Sequence, residues 1–242
     1  MKYLRGAFNL LTALPVPPPQ EWCPGDSGRA AAWYSAVGLV VGMLSAVVWL
    51  VSKAIFPPPV AGALTLTAET LLTGGLHLDG VADCADGLAC PAPLAKRLEI
   101  MRDPRLGAFG GMALILILTL KLNILIALPP HLLGGILLAT SLSRWCLLPA
   151  GRLPVLSTTG MGADFARGLH WSSLMWGGLL PAGLAIVLGW RGLLATVSGV
   201  FTMTAVLWLA WSRLRGITGD VLGLVVESVE VAVLLTFVGG TS

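Results

Sequence analysis

Long apolar stretches separated by short polar segments form the dominant pattern of the chain. Windows of about 20 apolar residues, the length that crosses a bilayer as a helix, recur about seven times along it. They cover residues 32–51, 59–78, 109–128, 132–150, 174–190, 193–211 and 221–238. Threonines and Glu69 interrupt the second window, and Glu227 and Glu230 interrupt the last. The pattern predicts an all-α, polytopic membrane helix bundle with about seven spans, formed by residues 1–242 as a single domain.

Composition supports a membrane protein. Hydrophobic residues make up 56% of the chain and charged residues only 11%, whereas a soluble domain has about 25% charged residues. The N-terminal segment is interrupted by Arg5 and runs into prolines at 15–19, so it does not have the form of a cleavable signal peptide.

The basic residues are distributed unevenly between the two sides of the predicted bundle. With the N-terminus placed inside, the inner segments hold Lys2, Arg5, Arg29, Lys96, Arg97, Arg102, Arg105, Arg152, Arg167, Arg213 and Arg215. The outer segments then hold only Lys53 and Arg191. Because basic residues beside spans stay in the cytoplasm, this asymmetry predicts a cytoplasmic N-terminus.

An acidic run follows the second window. Asp79, Asp83 and Asp86 are spaced i, i+4 and i+7, so on a helix they share one face. Glu69 lies ten residues before Asp79, and an unbroken helix would place it on that face too. Carboxylates so arranged repel one another, and a divalent cation would offset the repulsion. Hard oxygen ligands favour Mg²⁺ or Mn²⁺, and we predict a Mg²⁺ site.

Two other interpretations of the acidic run stay open at this stage. The first is a solvated acidic helix end that binds nothing. The second is a soft-metal site in which Cys84 and Cys90 join His77, although the four cysteines show no paired spacing.

A basic, glycine-containing segment leads into the third window. Arg102 and Arg105 flank Asp103 at a proline turn, and Gly107 precedes the predicted helix. Helix N-termini and guanidinium groups both favour anionic oxygen, so we interpret this segment as a phosphate-binding loop. The alternative is that the arginines only anchor the chain at the membrane interface.

A third constellation precedes and enters the last window. Arg215, Thr218, Gly219 and Asp220 form a turn that opens a helix, in which Glu227 lies among apolar residues. Asp220 is also a candidate helix cap. An intramembrane carboxylate such as Glu227 is a functional candidate by default.

Several weaker signals complete the candidate set. Arg144 lies within a span and needs an anionic partner, for which Glu69 and Glu227 are the candidates. Lys121 is interpreted as a snorkelling side chain. Gly160 and Gly162, with Asp164 and Arg167, resemble a lid.

Carboxylates, arginines and a divalent cation together favour transfer chemistry on a diphosphate. Asp83 and Asp86 are the predicted catalytic residues, and Asp79, Asp83, Asp86 and Glu69 are the predicted metal ligands. The predicted substrate-binding residues are His77, Arg102, Asp103, Arg105, Gly107, Arg144, Arg215, Thr218, Gly219, Asp220 and Glu227.

The motifs resemble those of the cobalamin synthase family, the adenosylcobinamide-GDP ribazoletransferases. The resemblance rests on GGLHLDGVADCADGL at 74–88, MRDPRLGAFGG at 101–111 and RGITGDVLG, followed by Glu227, at 215–227. FNLLTALPVP at 8–17 adds weaker support. Cys84, Pro104 and Ala13 depart from the pattern, where Thr, Ser and a basic residue are expected.

The resemblance implies a Mg²⁺-dependent reaction in which α-ribazole or its 5′-phosphate attacks adenosylcobinamide-GDP and GMP is released. The expected location is a bacterial or archaeal cytoplasmic membrane, and the distribution of basic residues places the active site on its cytoplasmic side. Because a corrinoid is too large for a closed pocket in so small a protein, we expect an open cleft there. The expected partners are these two substrates, the lipid bilayer and other enzymes of late cobalamin synthesis, with no nucleic acid.

Two other functions stay open. The acidic run is similar, more loosely, to that of CDP-alcohol phosphotransferases, but the Arg expected after the first Asp-Gly is missing. A cation-coupled transporter is the candidate of a different class. Transporters place their sites near the midplane between repeated halves, and no internal repeat is visible here.

Overall fold

The computed structural model describes residues 1–156 and 161–239, and these residues are almost entirely helical. The helices are α1 (Lys2–Leu11), α2 (Asp26–Ala30), α3 (Tyr34–Ile55), α4 (Pro58–Thr73), α5 (Leu76–Ala89), α6 (Leu94–Ile100), α7 (Ala108–Ala127), α8 (Gly134–Ala150), α9 (Met161–Gly168), α10 (Trp171–Val187), α11 (Gly189–Leu214) and α12 (Gly219–Val238). Within these residues the only β-type pairing is an isolated bridge between Val155 and Ile217. The predicted all-α class is confirmed.

Five stretches of the described chain are long and apolar enough to cross a bilayer. They are Asp26–Ile55, Ala108–Ala127, Pro130–Ala150, Gly189–Leu214 and Gly219–Val238. The predicted count of about seven is not confirmed, because α4 and α10 have only 16 and 17 residues. At about 1.5 Å per residue, such helices fall short of a hydrocarbon core about 30 Å thick.

Helix α12 occupies the centre of the bundle. It packs against α5, α7, α8 and α11, and its buried residues include Val225, Val229, Val233 and Phe237. Helix α11, by contrast, turns Leu193, Val197, Phe201 and Trp208 outward. An apolar outer surface over a packed interior is the arrangement of a membrane protein. The side of the membrane on which the N-terminus lies stays a prediction.

Glycines bring α3 and α8 into backbone contact. A Cβ atom added at Gly38 would lie 2.2 Å from the carbonyl oxygen of Thr140, and one added at Gly42 would lie 2.3 Å from the Thr140 hydroxyl oxygen. Small residues at four-residue spacing allow this approach in membrane helices, where van der Waals packing holds helices together. The close packing of α3 on α8 therefore requires glycine, which has no side chain, at positions 38 and 42.

Substitution of Gly38 by Ala is expected to destabilise the protein by about 1–3 kcal/mol, because the new methyl group meets a backbone carbonyl that cannot move freely. The measurement is the thermal midpoint of unfolding in detergent. Gly183→Ala in α10 is the matched control, since its Cβ would meet nothing within 4 Å. It should leave the midpoint unchanged or raise it; equal losses in both variants would contradict the packing argument.

Candidate functional site

The acidic helix α5 starts at a sharp break in the chain. Gly74 and Gly75 both have positive φ, 63° and 72°, a conformation that glycine adopts without steric cost. Helix α4 therefore ends at Thr73, and α5 begins a new direction at Leu76. The continuous helix that was expected to carry Glu69 onto the face of Asp79 is absent, so that part of the prediction is wrong.

Helices α5 and α12 cross with their backbones almost touching. A Cβ atom at Gly80 would lie 2.7 Å from the carbonyl oxygen of Asp220, and one at Gly223 would lie 3.0 Å from the carbonyl oxygen of His77. The crossing brings the acidic face of α5 to the first turn of α12. The structure thus joins two segments that are far apart in the sequence.

Asp83 lies half-buried among other carboxylates. Burial raises the pKa of its carboxyl group to about 6, and the negative charges of Asp220, Asp79 and Asp86 act in the same direction. No basic side chain bonds to Asp83 among the described residues. A carboxyl group in this environment favours proton uptake near neutral pH, and the site as a whole attracts cations.

Asp86 faces a different partner. Its two carboxylate oxygens accept hydrogen bonds from the backbone N–H groups of Gly107, at 2.8 Å, and Gly110, at 2.9 Å. These groups form the N-terminus of α7, where free N–H groups and the helix dipole favour an anion. The sequence predicted a substrate phosphate at this helix start. In the structure Asp86 occupies that position instead, and its catalytic role stays a prediction.

The loop before α7 is held by a buried arginine that the sequence analysis did not single out. Arg97 donates hydrogen bonds to the carbonyl oxygens of Gly87, Leu88 and Ala92. The first two carbonyls lie at the C-terminal end of α5, where no further turn of helix satisfies them, and that of Ala92 lies in the loop that follows. Arg97 therefore fixes the loop against α5.

Arg102 reaches the start of α12. It lines a cavity of about 140 Å³ together with Thr218, Gly219 and Asp220. Thr218 caps α12 by accepting a hydrogen bond from the N–H of Val221, 3.3 Å away. The cap is thus Thr218 rather than Asp220, which leaves the Asp220 carboxylate beside the cavity.

Asp103 and Arg105 pair with each other. Arg105 donates two hydrogen bonds to the Asp103 carboxylate, at 2.9 and 2.6 Å. The guanidinium group lowers the pKa of Asp103 to about 2. Because Arg105 is already paired with Asp103, it is less free than Arg102 to bind a phosphate, although both partners remain accessible to solvent.

Arg215 does not take part in the cavity at Arg102. It ends α11 in the left-handed conformation, with φ of 60°, and its N–H bonds to the carbonyl oxygen of Trp211. Its side chain is exposed and lines neither the cavity at Arg102 nor the larger one described next.

A larger cavity of about 230 Å³ opens on the other side of Asp220. Helices α1, α3, α5, α8, α9 and α12 all contribute to its wall. His77, Asp79 and Asp220 are its polar residues, and Gly219 lines both cavities. Asp220 therefore stands between a cavity that contains an arginine and one that is mainly apolar.

Helix α9 closes one wall of the larger cavity. Asp164 accepts hydrogen bonds from the N–H of Gly25 and from the hydroxyl and N–H of Ser27. Burial raises the pKa of Asp164, but these hydrogen bonds outweigh burial and leave the pKa below its ordinary value. Asp164 thus fixes α9 on α2. Gly160 of the predicted lid lies outside the described residues.

Five charged side chains meet inside the bundle, and some of them interact electrostatically with His77 of the larger cavity. Lys121 lies 2.9 Å from Glu69, 3.0 Å from Glu227 and 2.7 Å from Glu230. Glu230 also pairs with Arg144, and Ser143 donates a hydrogen bond to it at 3.2 Å. We call Glu69, Lys121, Arg144, Glu227 and Glu230 the charge cluster. It joins α4, α7, α8 and α12.

The charge cluster corrects two interpretations from the sequence. Lys121 is 2% exposed and bound to three carboxylates, so it does not snorkel. The direct ion-pair partner of Arg144 is Glu230, and the negative charges of Glu69 and Glu227 act on its guanidinium group without direct contact. Glu69 and Glu227 therefore pair with Lys121, and Arg144 pairs with Glu230. None of these side chains lines the two cavities at Asp220.

The candidate metal ligands do not form a complete metal site by themselves. In the described part of the chain, no three His, Cys, Asp or Glu side chains converge closely enough to hold a metal by themselves. Cys84, Cys90 and His77, the soft-metal alternative, do not converge closely enough either. Mg²⁺ commonly uses only one or two carboxylates, and water and substrate phosphates complete its shell. Asp79 and Asp220 fit this second mode.

Fold and site define a helical membrane protein in which carboxylates of two crossing helices meet an arginine-bearing loop. The chain belongs to the cobalamin-5-phosphate synthase family, whose sequence model matches residues 3–238.

Curated relatives cover nearly the whole chain. It is 38% identical to an adenosylcobinamide-GDP ribazoletransferase of Thermosynechococcus vestitus, over 98% of this chain and 96% of the relative. It is 33% identical to the enzyme of the same name from Ralstonia pickettii, over 94% and 91%. No solved structure matches the chain.

Replacing Lys121 by Met is expected to cost about 3–5 kcal/mol, because three buried carboxylates lose their shared cation. Unfolding in detergent, followed by intrinsic fluorescence, measures the loss. Lys53→Met is the matched control, since Lys53 only lies over the Trp49 ring at 4.2 Å near a helix end. A similar midpoint for the two variants would show that the charge cluster does not hold the bundle together.

Proposed function

We propose that the chain joins adenosylcobinamide-GDP to α-ribazole or its 5′-phosphate, with release of GMP and formation of adenosylcobalamin or its 5′-phosphate. The observation that carries this proposal is the family match over residues 3–238, with curated relatives of one name along nearly the whole chain. The crossing of α5 and α12 supports it, because it brings Asp79, Asp83 and Asp220 within electrostatic range of one another, and all three belong to the segments that carry the resemblance.

The proposed reaction is a substitution at phosphorus. A ribose hydroxyl oxygen of the acceptor forms a bond to the phosphorus that carries the cobinamide. The bond from that phosphorus to the oxygen shared with GMP breaks, and GMP leaves with that oxygen. The hydroxyl proton passes to a base on the protein. We assign Asp83 as this base, since its half-buried position among carboxylates favours proton uptake.

The cofactor of this proposal is Mg²⁺, which Asp79 and Asp220 would hold. When bound, the ion would supply neutralisation of negative charge on the diphosphate and on the departing GMP. Asp86 and Glu69 are weaker candidates for ligands than the sequence indicated. The first accepts two backbone hydrogen bonds, and the second pairs with Lys121.

Arg102 is the proposed phosphate ligand. It lines the cavity of Thr218, Gly219 and Asp220, and its guanidinium group can bind two phosphate oxygens at once. The site faces the cytoplasm in this proposal, which the distribution of basic residues supports.

Asp83→Asn is expected to lower kcat for GMP release at least 100-fold, because the attacking hydroxyl loses its base. The half-saturating Mg²⁺ concentration should stay unchanged. Asp79→Asn should instead raise that concentration at least 10-fold. The assay measures GMP released from adenosylcobinamide-GDP by purified protein with α-ribazole and Mg²⁺.

Glu21→Gln, which removes one exposed carboxylate outside the site, serves as the control for charge. Full activity of Asp83→Asn would remove Asp83 from the mechanism. If the unaltered protein released no GMP at all in lipid, the proposed reaction itself would be wrong.

Arg102→Met is expected to raise the KM for adenosylcobinamide-GDP at least 10-fold, since the diphosphate loses its guanidinium partner. Arg105→Met should raise it less, because Arg105 is already occupied by Asp103. Initial rates at varied donor concentration give both values. The reverse order would show that the Asp103–Arg105 pair opens when the substrate binds.

A further inference from the structure

The cavity of about 230 Å³ beside Asp220 is apolar over most of its wall. Leu10, Leu11, Leu76, Leu147 and Leu222 line it together with Phe165. An apolar cavity of about 150 Å³ holds one benzene ring in a protein interior. A cavity half as large again can therefore accept a planar molecule of two fused rings.

Aromatic side chains support a flat ligand at this place. Tyr34 and Phe165 both line the cavity, and their rings stack with centroids 5.8 Å apart and planes 9° apart. The Tyr34 hydroxyl donates a hydrogen bond to the Ser27 carbonyl oxygen at 3.3 Å, which fixes the ring from behind. Flat, rigid aromatic walls suit a planar heterocycle.

One polar atom in this wall lacks a partner. His77 is 97% buried, and its Nε2 atom forms no hydrogen bond with any described residue. A buried polar atom without a partner costs about 1–3 kcal/mol. His77 belongs to the cavity wall, and the charges of Arg144, Lys121 and Glu69 also act on its ring. A ligand in the cavity whose ring nitrogen reached Nε2 would satisfy this atom.

The position of the cavity indicates which part of a substrate it receives. Asp79 and Asp220 form its polar end and are the proposed metal ligands. A nucleoside with its base among the leucines would place its ribose beside these carboxylates. The attacking hydroxyl would then lie where the reaction needs it.

We infer that this cavity binds the aromatic base of the acceptor nucleoside, a two-ring heterocycle with few polar atoms, with His77 Nε2 hydrogen-bonded to a ring nitrogen. The inference rests on the proposed function and names the acceptor subsite within it. The guanine and the adenine of the donor are the other planar bases in the reaction. Each carries several hydrogen-bonding atoms, most of which would remain unpaired against leucine and phenylalanine walls.

The experiment measures binding without turnover. Equilibrium dialysis of α-ribazole against the purified protein, with no donor present, gives its Kd, and GDP serves as the second probe. Leu10→Trp fills the cavity from α1, where Leu10 is half-buried, and should weaken α-ribazole binding at least 10-fold while GDP binding stays unchanged. Leu4→Trp on the same helix is the matched control and should leave both constants unchanged.

A second pair of variants tests the polar contact. His77→Ala should also weaken α-ribazole binding, and His77→Gln should restore part of it, because glutamine keeps a hydrogen-bonding group near Nε2. Unchanged α-ribazole binding in both Leu10→Trp and His77→Ala would overturn the inference. Weaker GDP binding in Leu10→Trp would also overturn it and assign the cavity to guanine.

Failure of this inference is distinguishable from failure of the proposed function. GMP release by the unaltered protein tests the reaction, whereas dialysis tests only where the base binds. If GMP release is normal but the Kd of α-ribazole is the same in the cavity variants as in the unaltered protein, the proposed reaction is retained and the acceptor base binds elsewhere.

Discussion

The charge cluster is the constraint on which the rest of the structure depends. Lys121 contacts three glutamates from two helices, and one of them, Glu230, also forms an ion pair with Arg144. A charged side chain at the centre of a bilayer costs about 2.5–3.5 kcal/mol even on insertion scales, so such groups must find partners. Breaking one link leaves an opposite charge buried without compensation. The cluster therefore selects one arrangement of α4, α7, α8 and α12.

That arrangement determines the position of the candidate site. Two of the glutamates lie on α12, two turns and more after Asp220. Fixing α12 at Glu227 and Glu230 fixes the rotation of its first turn, where Gly223 meets the backbone of α5. The approach of Asp79 and Asp83 to Asp220 thus depends on ion pairs that contact neither cavity. A substitution in the cluster would disturb the site at a distance, through the orientation of one helix.

The sequence predicted much of the fold and part of the site. Apolar windows indicated most of the helices, because spanning a bilayer requires a long uninterrupted apolar run. The Gly-Gly pair at 74–75 was visible, but periodicity alone could not show that both residues adopt positive φ and redirect the chain. The hydrogen bonds of Asp86 to the N-terminus of α7 were not predicted for a related reason, since a contact between residues 21 positions apart leaves no local pattern.

Lys121 shows the same limit for buried charges. A lysine in an apolar window is compatible with snorkelling to the interface or with pairing inside the bundle. Its spacing from Glu69, Glu227 and Glu230 carries no information about which applies, because the partners lie on other helices. The cavity beside His77 was equally hidden, since its wall comes from six helices. Local chemistry was readable from the motifs, and long-range partners were not.

The balance of charge inside the bundle also bears on where a diphosphate can bind. The charge cluster contains three carboxylates against one lysine and one arginine. When all are ionised, it carries one excess negative charge, in a region where the low dielectric strengthens repulsion. A diphosphate is therefore disfavoured near Glu69 and Glu227, although Glu69 stands close to the acidic helix in the sequence. Arg102, on the other side of Asp220, offers an accessible cation, which favours the proposed placement of the donor diphosphate at that loop and of a neutral group in the apolar cavity.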